Sequence, residues 1–451
     1  MNAKLEKFKK NICGKHVILL GVGVSNKPLI KQLISYGAYV TCCDKSTAIE
    51  DDFMEERKKG ANFRLGEHYL DDLNCDIIFK TPGIRPDIPQ LQAAEKAGII
   101  VTSEMEVFFK LCPCKIIAVT GSDGKTTTTT LIYKMLTQEG FTCHLGGNIG
   151  KPLLPEIENI NPDDYAVLEL SSFQLMSMRQ SPDVAVVTNL APNHLDIHKS
   201  MEEYIDAKKN IFRYQNKSGI LVLNAANDIT RSFADEANGD VVFFGGDSDV
   251  HIEENTIYYG KKPVIKKDDI CLPGEHNVEN YMAAIAAVGK KVSVESIKSV
   301  ANNFKGVEHR IEFVREVDGV KFYNDSIASS PTRARAGLYA FNRKVILIAG
   351  GYDKKIAFDD FGKDIKERVK RLYLFGATAP LIKEAVIKAY DGGRTLPIIT
   401  QYTTLEQIVK EAYMAAEAGD VVILSPACAS FDMFKNFEER GKKFKELVKK
   451  L

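Results

Sequence analysis

KIIAVTGSDGKTTTTTLIYKML, residues 115–136, is the stretch that decides the fold. Its first part, Ile116 to Thr120, is a short apolar run rich in β-branched residues and predicts a buried strand. The pattern breaks at Gly121 and Gly124, and apolar residues return at helical spacing from Leu131. The segment therefore predicts a strand, a glycine loop and a helix, in that order.

Such a loop is suited to binding phosphate. Glycines let successive backbone N–H groups turn toward an anion, and the start of the helix adds the positive end of its dipole. Lys125 can reach the outer phosphates of a nucleotide, and the Thr126 hydroxyl can ligate Mg²⁺. The first glycine of the pattern G-x-x-x-x-G-K-[ST] would fall at Val119, so we expect a shortened relative of that loop. The alternative is a Gly-Lys-Thr turn that binds no ligand.

The length of 451 residues predicts about three domains, at a prior of roughly 150 residues each. Strand and helix patterns alternate along the chain, which is typical of α/β proteins with mostly parallel sheets. We place the domains at residues 1–103, 104–306 and 307–451. We expect the first to be Rossmann-like, the central one P-loop ATPase-like and the last similar to a dinucleotide-binding fold.

The charge balance, 60 basic against 60 acidic residues, offers no bulk attraction for nucleic acid or a membrane surface. We therefore expect no nucleic-acid partner and no membrane partner. No stretch approaches the roughly 20 apolar residues of a membrane span, and the apolar run after the basic start lacks the cleavage site of a signal peptide. Nine cysteines without a C-x-x-C pair, with Cys42 and Cys143 in predicted strands, favour reduced thiols and a cytoplasmic location.

The first domain carries a pattern similar to a dinucleotide fingerprint. Glycines end its first predicted strand and Asp44 ends the second, but Asn26 occupies the place of the third glycine. A nucleotide diphosphate could still rest on the backbone of Val24 and Ser25, with Asp44 reading the base or ribose. The alternative is that these residues are only tight strand ends.

Polar residues of the central domain suggest ligands for the phosphate loop. Glu169 ends a predicted buried strand, where a second Mg²⁺-directed acid belongs in nucleotide-binding α/β folds. His194 lies in N-H-L-D-I-H, and we favour a single histidine acting on Mg²⁺ or phosphate over a transition-metal site. Asn277 and Asn280 face one way on a predicted helix and could hold an adenine edge.

These segments, in this order, resemble the Mur ligases of bacterial cell-wall synthesis along essentially the whole chain. TGSDGKTT (120–127) looks like the ATP loop of that superfamily, GEHNVEN (274–280) its adenine segment and EHRIE (308–312) its arginine segment. YNDS (323–326) and SPACASFDMFKNFEERG (425–441) are similar to the members that add D-glutamate to UDP-N-acetylmuramoyl-L-alanine.

The resemblance implies a role for individual residues. Catalytic residues would be Lys125, His194 and Lys208. ATP would be bound by Gly121, Ser122, Asp123, Gly124, Lys125, Thr126, Thr127, Asn277, Asn280, Arg310 and Asp325. Two Mg²⁺ ions would be held by Thr126, Glu169, His194 and Lys208. The UDP substrate would contact Val24, Ser25, Asp44, Thr81, Gly83 and Asn148, and D-glutamate would contact Lys354, Ser430, Phe431 and Phe437.

Lys208 is expected, by the same resemblance, to be carbamylated. CO₂ adds to a neutral amine, and the product is an anion that can ligate Mg²⁺ where a cationic lysine would repel it. Lys209 is the competing assignment, but Lys208 follows Ala207 as the family pattern requires.

The chain departs from the family at Ile327. Many members have N-D-S-K here, and their lysine approaches the side-chain carboxylate of the amino-acid substrate. Lys354, Arg333 or Arg335 would then supply the missing charge, or recognition of that carboxylate would be weaker.

The implied activity is that of an ATP-dependent carboxylate–amine ligase that acts as a monomer through an acyl phosphate. The first alternative is another amino-acid ligase of the same superfamily. The others are a P-loop ATPase switch, which would hydrolyse ATP without an amine acceptor, and a nicotinamide dehydrogenase built on residues 16–44.

Overall fold

The structure, a computed structural model, describes residues 2–47, 54–191, 198–272, 274–353, 357–390 and 398–451. The chain forms two compact units, Met1–Asn303 and Phe304–Leu451.

The first unit contains fourteen strands and eleven α-helices. The strands are β1 (His16–Leu20), β2 (Tyr39–Asp44), β3 (Asn62–Leu65), β4 (Ile77–Lys80), β5 (Ile100–Thr102), β6 (Lys115–Thr120), β7 (Cys143–Gly147), β8 (Tyr165–Glu169), β9 (Val184–Val187), β10 (Ile220–Asn224), β11 (Asp240–Phe244), β12 (Val250–Glu253), β13 (Thr256–Tyr259) and β14 (Lys262–Lys266). The helices are α1 (Ala3–Ile12), α2 (Lys27–Ser35), α3 (Met54–Lys58), α4 (Pro89–Lys96), α5 (Glu104–Leu111), α6 (Lys125–Glu139), α7 (Ser172–Leu175), α8 (Met201–Lys209), α9 (Asp228–Arg231), α10 (Glu275–Val288) and α11 (Val294–Asn303). These counts refer to the described residues.

The first five strands form one parallel sheet in the order β3-β2-β1-β4-β5. This is the Rossmann strand order 3-2-1-4-5-6 without its sixth strand, which confirms the Rossmann-like prediction. The chain reverses direction across the sheet on either side of β1, and ligands bind at such a switch point, beyond the carboxyl ends of the strands. The ends of β1, β2 and β4 therefore mark a binding edge.

The other nine strands form a second sheet in the order β14-β13-β12-β11-β10-β9-β6-β8-β7. Strands β6 to β12 are parallel, and β13 and β14 add an antiparallel edge. The predicted central strand β6 is buried from Ile116 to Thr120, because it lies between β9 and β8 and is covered on both faces. Helix α6 packs against α10 and α11.

One hydrophobic cluster joins the two sheets of this unit. It includes Val17 of β1, Phe108 of α5 and Leu168 of β8. All nine cysteines are free thiols, and Cys42 and Cys143 lie in strands as predicted.

The second unit contains β15 (Glu312–Val317), β16 (Val320–Asn324), β17 (Val345–Gly350), β18 (Val369–Phe375), β19 (Ile398–Gln401) and β20 (Val421–Leu424), with α12 (Pro331–Tyr339), α13 (Asp359–Arg368), α14 (Ala379–Tyr390), α15 (Leu405–Met414) and α16 (Phe437–Lys449). Its sheet has the order β15-β16-β20-β17-β18-β19, and among these described strands only β15 and β16 pair antiparallel. The predicted α/β fold with mostly parallel sheets is confirmed in both units.

The sequence FDMFKNFEERGKKFKELVKKL, residues 431–451, predicts a single helix with an apolar stripe at Phe434, Phe437 and Phe444. The helix is shorter than this prediction: α16 begins at Phe437, where the Asn436 side chain accepts a hydrogen bond from the Glu439 backbone N–H at 2.8 Å. An asparagine N-cap of this kind ends the non-helical turn before it. Phe444 of the predicted stripe is fully buried, whereas Phe434 lies before the helix. In the part of the chain that the structure describes, no helix has the length and apolar character needed to cross a membrane.

Candidate active site

The phosphate loop turns on two glycines between β6 and α6. Gly121 has φ 147° and Gly124 has φ 77°, both in the region that disfavours side chains. A Cβ at Gly121 would overlap the Thr188 hydroxyl, and one at Gly124 would overlap the Asn280 amide oxygen. The loop therefore needs glycine for its backbone angles and for the close approach of its neighbours.

Contacts from the segment that follows β9 and from α8 hold the loop in place. The Ser122 N–H donates to the Asn189 carbonyl at 2.9 Å, and the Asp123 N–H donates to the Asn189 side chain at 2.9 Å. The Ser122 hydroxyl is 2.9 Å from the Tyr204 hydroxyl. Both sides of the loop are thus tied to segments far away in the sequence.

Lys125, the first residue of α6, folds back over this loop. Its Nζ donates to the carbonyls of Gly121 at 3.0 Å and Ser122 at 2.9 Å. The ammonium is held at the loop mouth, where it can neutralise the charge of an outer phosphate.

Glu169 collects two partners at the carboxyl end of β8. Its Oε2 accepts from the Thr126 hydroxyl at 2.6 Å, and its Oε1 accepts from the Asn148 amide at 2.7 Å. The Glu169 residue is only 2% exposed. A buried carboxylate beside a hydroxyl at the end of a phosphate loop supplies the hard oxygen ligands that Mg²⁺ prefers, so these residues fit the metal.

Lys208, on the last turn of α8, reaches the same loop. Its Nζ donates to the Thr120 hydroxyl at 3.0 Å and to the Gly121 carbonyl at 2.9 Å. Burial lowers the pKa of Lys208 well below its usual value, and the charge of Lys125 lowers it further. Lys209 instead pairs with Glu236, so of the two candidate lysines Lys208 is the one that meets the loop.

Asn277 and Asn280 lie on helix α10, which packs against α6. The Asn280 amide donates to the Asn277 side-chain oxygen at 3.2 Å and its own oxygen accepts from the Thr128 hydroxyl at 3.2 Å. The two side chains are adjacent, as the i, i+3 spacing predicted, and both residues are buried. Thr127 is also buried, within α6.

Five of the six predicted UDP-substrate residues lie at the binding edge of the first sheet, whereas the sixth, Asn148, lies beside Glu169 in the second sheet. Asp44 accepts hydrogen bonds from the Val22 N–H at 2.7 Å and the Ser46 N–H at 2.8 Å, which turns the chain after β2. Thr81 follows β4, and its N–H donates to the Leu20 carbonyl at 2.9 Å. The remaining residues of this set are Val24 (78% exposed), Ser25 (half-buried) and Gly83 (exposed).

Asn26 explains why the dinucleotide fingerprint lacks its third glycine. The fully buried Asn26 amide donates to the carbonyls of Gly21 at 2.9 Å and Phe79 at 3.0 Å. The side chain thereby ties β1 to β4 where a glycine would only have allowed close packing.

In the second unit, Asp325 and Ser425 meet at the carboxyl ends of β16 and β20. The Ser425 hydroxyl donates to Asp325 at 2.7 Å and the Ile311 N–H donates at 3.2 Å. Burial raises the pKa of Asp325 to about 7, opposed by these hydrogen bonds and by the charges of Arg310 and Arg333.

The residues on either side of Arg310 have unusual backbone angles. His309 has φ 65° and Ile311 has φ 44°, and a β-branched residue in this region is strained. The His309 ring contacts the Asn324 amide at 2.9 Å, which helps to hold this conformation next to Asp325.

A fully buried arginine, Arg440, organises the predicted D-glutamate residues. Its guanidinium donates to the carbonyls of Cys428 and Ala429, both at 3.1 Å, and to the Ser326 carbonyl at 2.9 Å. Burial lowers its pKa to about 10. Ser430 is buried beside this cluster, Phe431 is 64% exposed, and Phe437 is half-buried at the start of α16.

Ile327 is half-buried, and two candidate replacement cations lie on α12 nearby in sequence. Arg335 pairs with Asp364, with Nε and Oδ1 3.3 Å apart. Arg333 is exposed, and its charge acts on Asp325. The third candidate, Lys354, lies outside the described residues, as does His194.

Sequence reasoning missed Tyr204, Asn189 and Arg440. Tyr204 follows the polar start of α8, and Arg440 stands in a run of charged residues, so the local pattern of each is that of a solvated surface. Only the long motif that contains Arg440 indicated that the region was special.

Two family models match most of the chain beyond the first sheet. They are described as the Mur ligase middle domain, over residues 119–288, and the Mur ligase, glutamate ligase domain, over residues 309–428. A UDP-N-acetylmuramoylalanine–D-glutamate ligase of Acetivibrio thermocellus is 56% identical over 99% of each chain. The chain belongs to the Mur ligase family.

This Mur ligase has a second relative of the same printed name in Ruminiclostridium cellulolyticum, 54% identical over the full length of both chains. Among solved structures it is similar to the UDP-N-acetylmuramate-alanine ligase MurC of Thermotoga maritima, with a TM-score of 0.60 and 18% identity over 97% of this chain and 99% of that chain. At that identity the structural likeness shows the fold of the Mur ligase.

Proposed function

We propose that this Mur ligase joins D-glutamate to UDP-N-acetylmuramoyl-L-alanine, with ATP converted to ADP and phosphate. The observation that carries the proposal is identity of 54% and 56% over essentially the whole length to two relatives named for that ligation. The protein acts in peptidoglycan precursor synthesis, and thus in cell-wall biogenesis, cell shape, division and the cell cycle. We place it in the cytoplasm as a monomer.

The first step of the reaction makes an acyl phosphate. A carboxylate oxygen of the UDP substrate attacks the γ-phosphorus of ATP, and the bond from that phosphorus to the β-phosphate oxygen breaks to release ADP. Lys125 spreads the negative charge that builds on the transferred group, because its Nζ already lies at the loop mouth. The N–H groups of the glycine loop cradle the remaining phosphates.

Thr126 and Glu169 would hold a first Mg²⁺ ion, and His194 and Lys208 would complete a second site. Bound there, Mg²⁺ would act as a Lewis acid on the phosphate oxygens. The support for this proposal is the 2.6 Å contact between the Thr126 hydroxyl and the buried Glu169 carboxylate.

Lys208 is proposed to carry the carbamate. Its burial favours the neutral amine that CO₂ requires, and its Nζ lies within hydrogen-bond distance of the phosphate loop. A carbamate nitrogen keeps one N–H, so it can retain one of the two contacts that Lys208 makes to Thr120 and Gly121.

The second step forms the C–N bond. The amine of D-glutamate attacks the acyl carbon, its proton passes to solvent, and the tetrahedral intermediate expels phosphate. The first step is needed because a carboxylate is too poor an electrophile to react with an amine directly.

Assignments of substrate contacts complete the proposal. The nucleotide contacts are Ser122, Asp123, Thr127, Asn277, Asn280, Arg310 and Asp325. The UDP-substrate contacts are Val24, Ser25, Asp44, Thr81, Gly83 and Asn148, and the D-glutamate contacts are Lys354, Ser430, Phe431 and Phe437. We divide the chain into domains at residues 1–103, 104–306 and 307–451, in line with its three separate sheets.

The test is phosphate release from ATP with UDP-N-acetylmuramoyl-L-alanine and a panel of amino acids. D-Glutamate should stimulate release strongly, while L-glutamate, L-alanine and diaminopimelate should not. Stimulation by another amino acid would indicate a different ligase of the family. Release without any amine acceptor would indicate an ATPase switch instead.

A further inference from the structure

A network of four charged side chains connects the first sheet to helix α8. Arg85, in the segment that follows β4, donates to both oxygens of Glu203, from Nη2 at 2.6 Å and from Nη1 at 3.2 Å. The same guanidinium donates to both oxygens of Asp87, from Nε at 2.8 Å and from Nη2 at 3.0 Å. The Arg85 guanidinium thus binds two carboxylates, each through two hydrogen bonds, a geometry that arginine provides and lysine does not.

The other members of the network close it on the α8 side. The Lys199 ammonium donates to Asp87 at 2.6 Å, and the Lys199 backbone N–H donates to Glu203 at 2.7 Å. Hydrogen bonding by Arg85 lowers the pKa of Glu203 to about 2 and also lowers the pKa of Asp87. Both carboxylates are therefore charged at neutral pH.

Each end of the network leads to a different part of the active site. On one side, Arg85 follows Thr81 and Gly83 by a few residues, and the buried Lys80 ammonium donates to the Ile84 carbonyl at 3.3 Å, which stiffens that turn. On the other side, Glu203 lies in the first turn of α8, with its N–H donating to the N-cap Ser200 hydroxyl at 3.3 Å.

Helix α8 carries the network to the phosphate loop. Tyr204 follows Glu203 directly and contacts the Ser122 hydroxyl, and Lys208 lies one turn further and contacts the Gly121 carbonyl. Helix α8 therefore contacts Arg85 through Glu203 near its start and the phosphate loop through Lys208 near its end. A displacement at one end of α8 is transmitted to the other end.

We infer that Arg85 is a positioning residue for the first chemical step: its bridge to Glu203 sets the separation between the turn at Thr81–Gly83 and the phosphate loop. The inference rests on the proposed function, in which the turn holds the UDP part of the substrate. The carboxylate of the UDP substrate must then come within about 3 to 3.5 Å of the γ-phosphorus of ATP for attack.

The properties of the Arg85–Glu203 ion pair indicate a positioning role and not a large contribution to the stability of the fold. Arg85 and Glu203 side chains are 21% and 28% exposed, so water still screens the pair and its contribution to stability is small. Its value lies in geometry, because four donor–acceptor contacts on one planar group fix distance and angle together. A misplacement of only about 1 Å is enough to cost roughly 100-fold in rate.

The experiment measures kcat and both KM values for Arg85→Ala, Arg85→Lys, Glu203→Gln and the double variant Arg85→Ala/Glu203→Gln. Arg85→Ala should lower kcat/KM for the UDP substrate by about 100-fold while the KM for ATP stays unchanged. Arg85→Lys should recover little, since one ammonium cannot fork two carboxylates. The double variant should lose no more than the larger single loss, because both changes break one bridge.

Lys15→Ala is the matched control. It removes another ion pair of the first sheet, with Asp76 at 2.8 Å, that does not reach α8. Its kinetics and its Tm should equal those of the wild type. Glu203→Gln keeps the side-chain oxygen that accepts from Lys199 and suits the first turn of α8, so the helix start is preserved.

Three results would overturn the inference. The first is an Arg85→Ala enzyme with unchanged kcat/KM for the UDP substrate. The second is equal damage to the KM for ATP together with a lower Tm, which would indicate a general loss of structure. The third is full recovery by Arg85→Lys. If Arg85→Ala fails to fold, Arg85→Lys and Glu203→Gln decide the question. A wild-type enzyme without D-glutamate-dependent phosphate release would overturn the proposed function, which the variants alone cannot do.

Discussion

At the scale of single residues, Lys125 is proposed to serve the phosphoryl transfer through its charge. Lys125→Ala should lower the ligation rate by about 100-fold or more, because the transferred phosphoryl group loses its cation. The fold should remain intact, since the Nζ donates to two carbonyls of its own loop, Gly121 and Ser122, which two further side chains, Asn189 and Tyr204, also hold in place. Phosphate release and circular dichroism would be measured beside Lys134→Ala, an exposed lysine on the same helix. Substantial ligation by Lys125→Ala would contradict the assignment.

Lys208 offers a sharper comparison, because its neighbour Lys209 faces away toward Glu236. Lys208→Ala should be nearly inactive and should regain part of its activity when a small carboxylate such as formate is added to replace the proposed carbamate. Lys209→Ala should keep wild-type activity. The measurement is D-glutamate-dependent phosphate release across a formate titration. Rescue of Lys209→Ala but not of Lys208→Ala would reverse the choice between the two lysines.

The missing lysine at Ile327 makes the source of the substrate-binding charge testable. Arg333→Ala should raise the KM for D-glutamate, because the side-chain carboxylate of the substrate would lose the cation that pairs with it. Arg335→Ala should have a smaller effect, since Arg335 is already paired with Asp364. Lys354→Ala and Ile327→Lys complete the set. Unchanged KM in all three alanine variants would mean that no local cation compensates, and would reopen the identity of the amino acid.

At the scale of elements, the junction of β6 and α6 depends on the packing of α10. Gly124→Ala should raise the KM for ATP, because the new Cβ meets the Asn280 amide oxygen and the backbone must leave its left-handed conformation. Gly140→Ala is the control on the same helix. Gly140 has φ 105° but no atom within 4 Å of a new Cβ, so only strain of about 1 to 2 kcal/mol is expected.

Binding measured by calorimetry would separate the two glycine variants. Loss of stability without a change in ATP affinity is the expected result for Gly140→Ala. Equal ATP affinity in both variants would show that the loop tolerates a side chain at Gly124.

The elements themselves were largely predictable from sequence, because buried parallel strands such as β6 and β17 are continuous apolar runs with glycine after them. The start of α16 was not, since Phe431 and Phe434 continue the apolar pattern across the turn that Asn436 ends. An N-cap acts through a single hydrogen bond, which the spacing of apolar residues along the sequence does not predict.

At the scale of the whole molecule, local motifs located the phosphate loop but not the set of side chains that surrounds it. Asn189 and Tyr204 reach the loop only because β9 lies beside β6 and α8 packs over the sheet end. Such convergence depends on strand order, which one sequence does not reveal. Where the resemblance to a family supplied residues, as at Lys208, it did so through motif position and not through any local pattern.

The stability of the molecule should depend on pH through Asp325. Burial raises its pKa from 3.8 to about 7, so the folded protein binds a proton where the unfolded chain has released it. This contribution is complete below about pH 4 and is lost as the pH rises through about 7, roughly 4 kcal/mol in all. Between pH 5 and pH 8, Asp325→Asn should therefore lose less stability than the wild type, by about 3 kcal/mol.

Calorimetric Tm values of the wild type and Asp325→Asn at pH 5 and pH 8 would measure this difference. Asp360→Asn is the control, because the Lys363 ammonium lowers the pKa of Asp360 and keeps that carboxylate charged throughout. Parallel pH curves for Asp325→Asn and the wild type would contradict the prediction.

The close contact of the phosphate loop and its helix with Asn280 also dictates when a growing chain gains this site. Thr128 and Asn280 are 152 residues apart in the sequence. The Ser122 N–H likewise donates to a carbonyl, that of Asn189, which is synthesised later. At about 5 to 20 residues per second, a ribosome needs roughly 8 to 30 s to supply the second half of the Thr128–Asn280 contact. During that interval the glycines have left the ribosome without the side chains that hold them. If the loop binds the nucleotide as proposed, we expect a nascent chain to acquire this ability only after α10 has been synthesised.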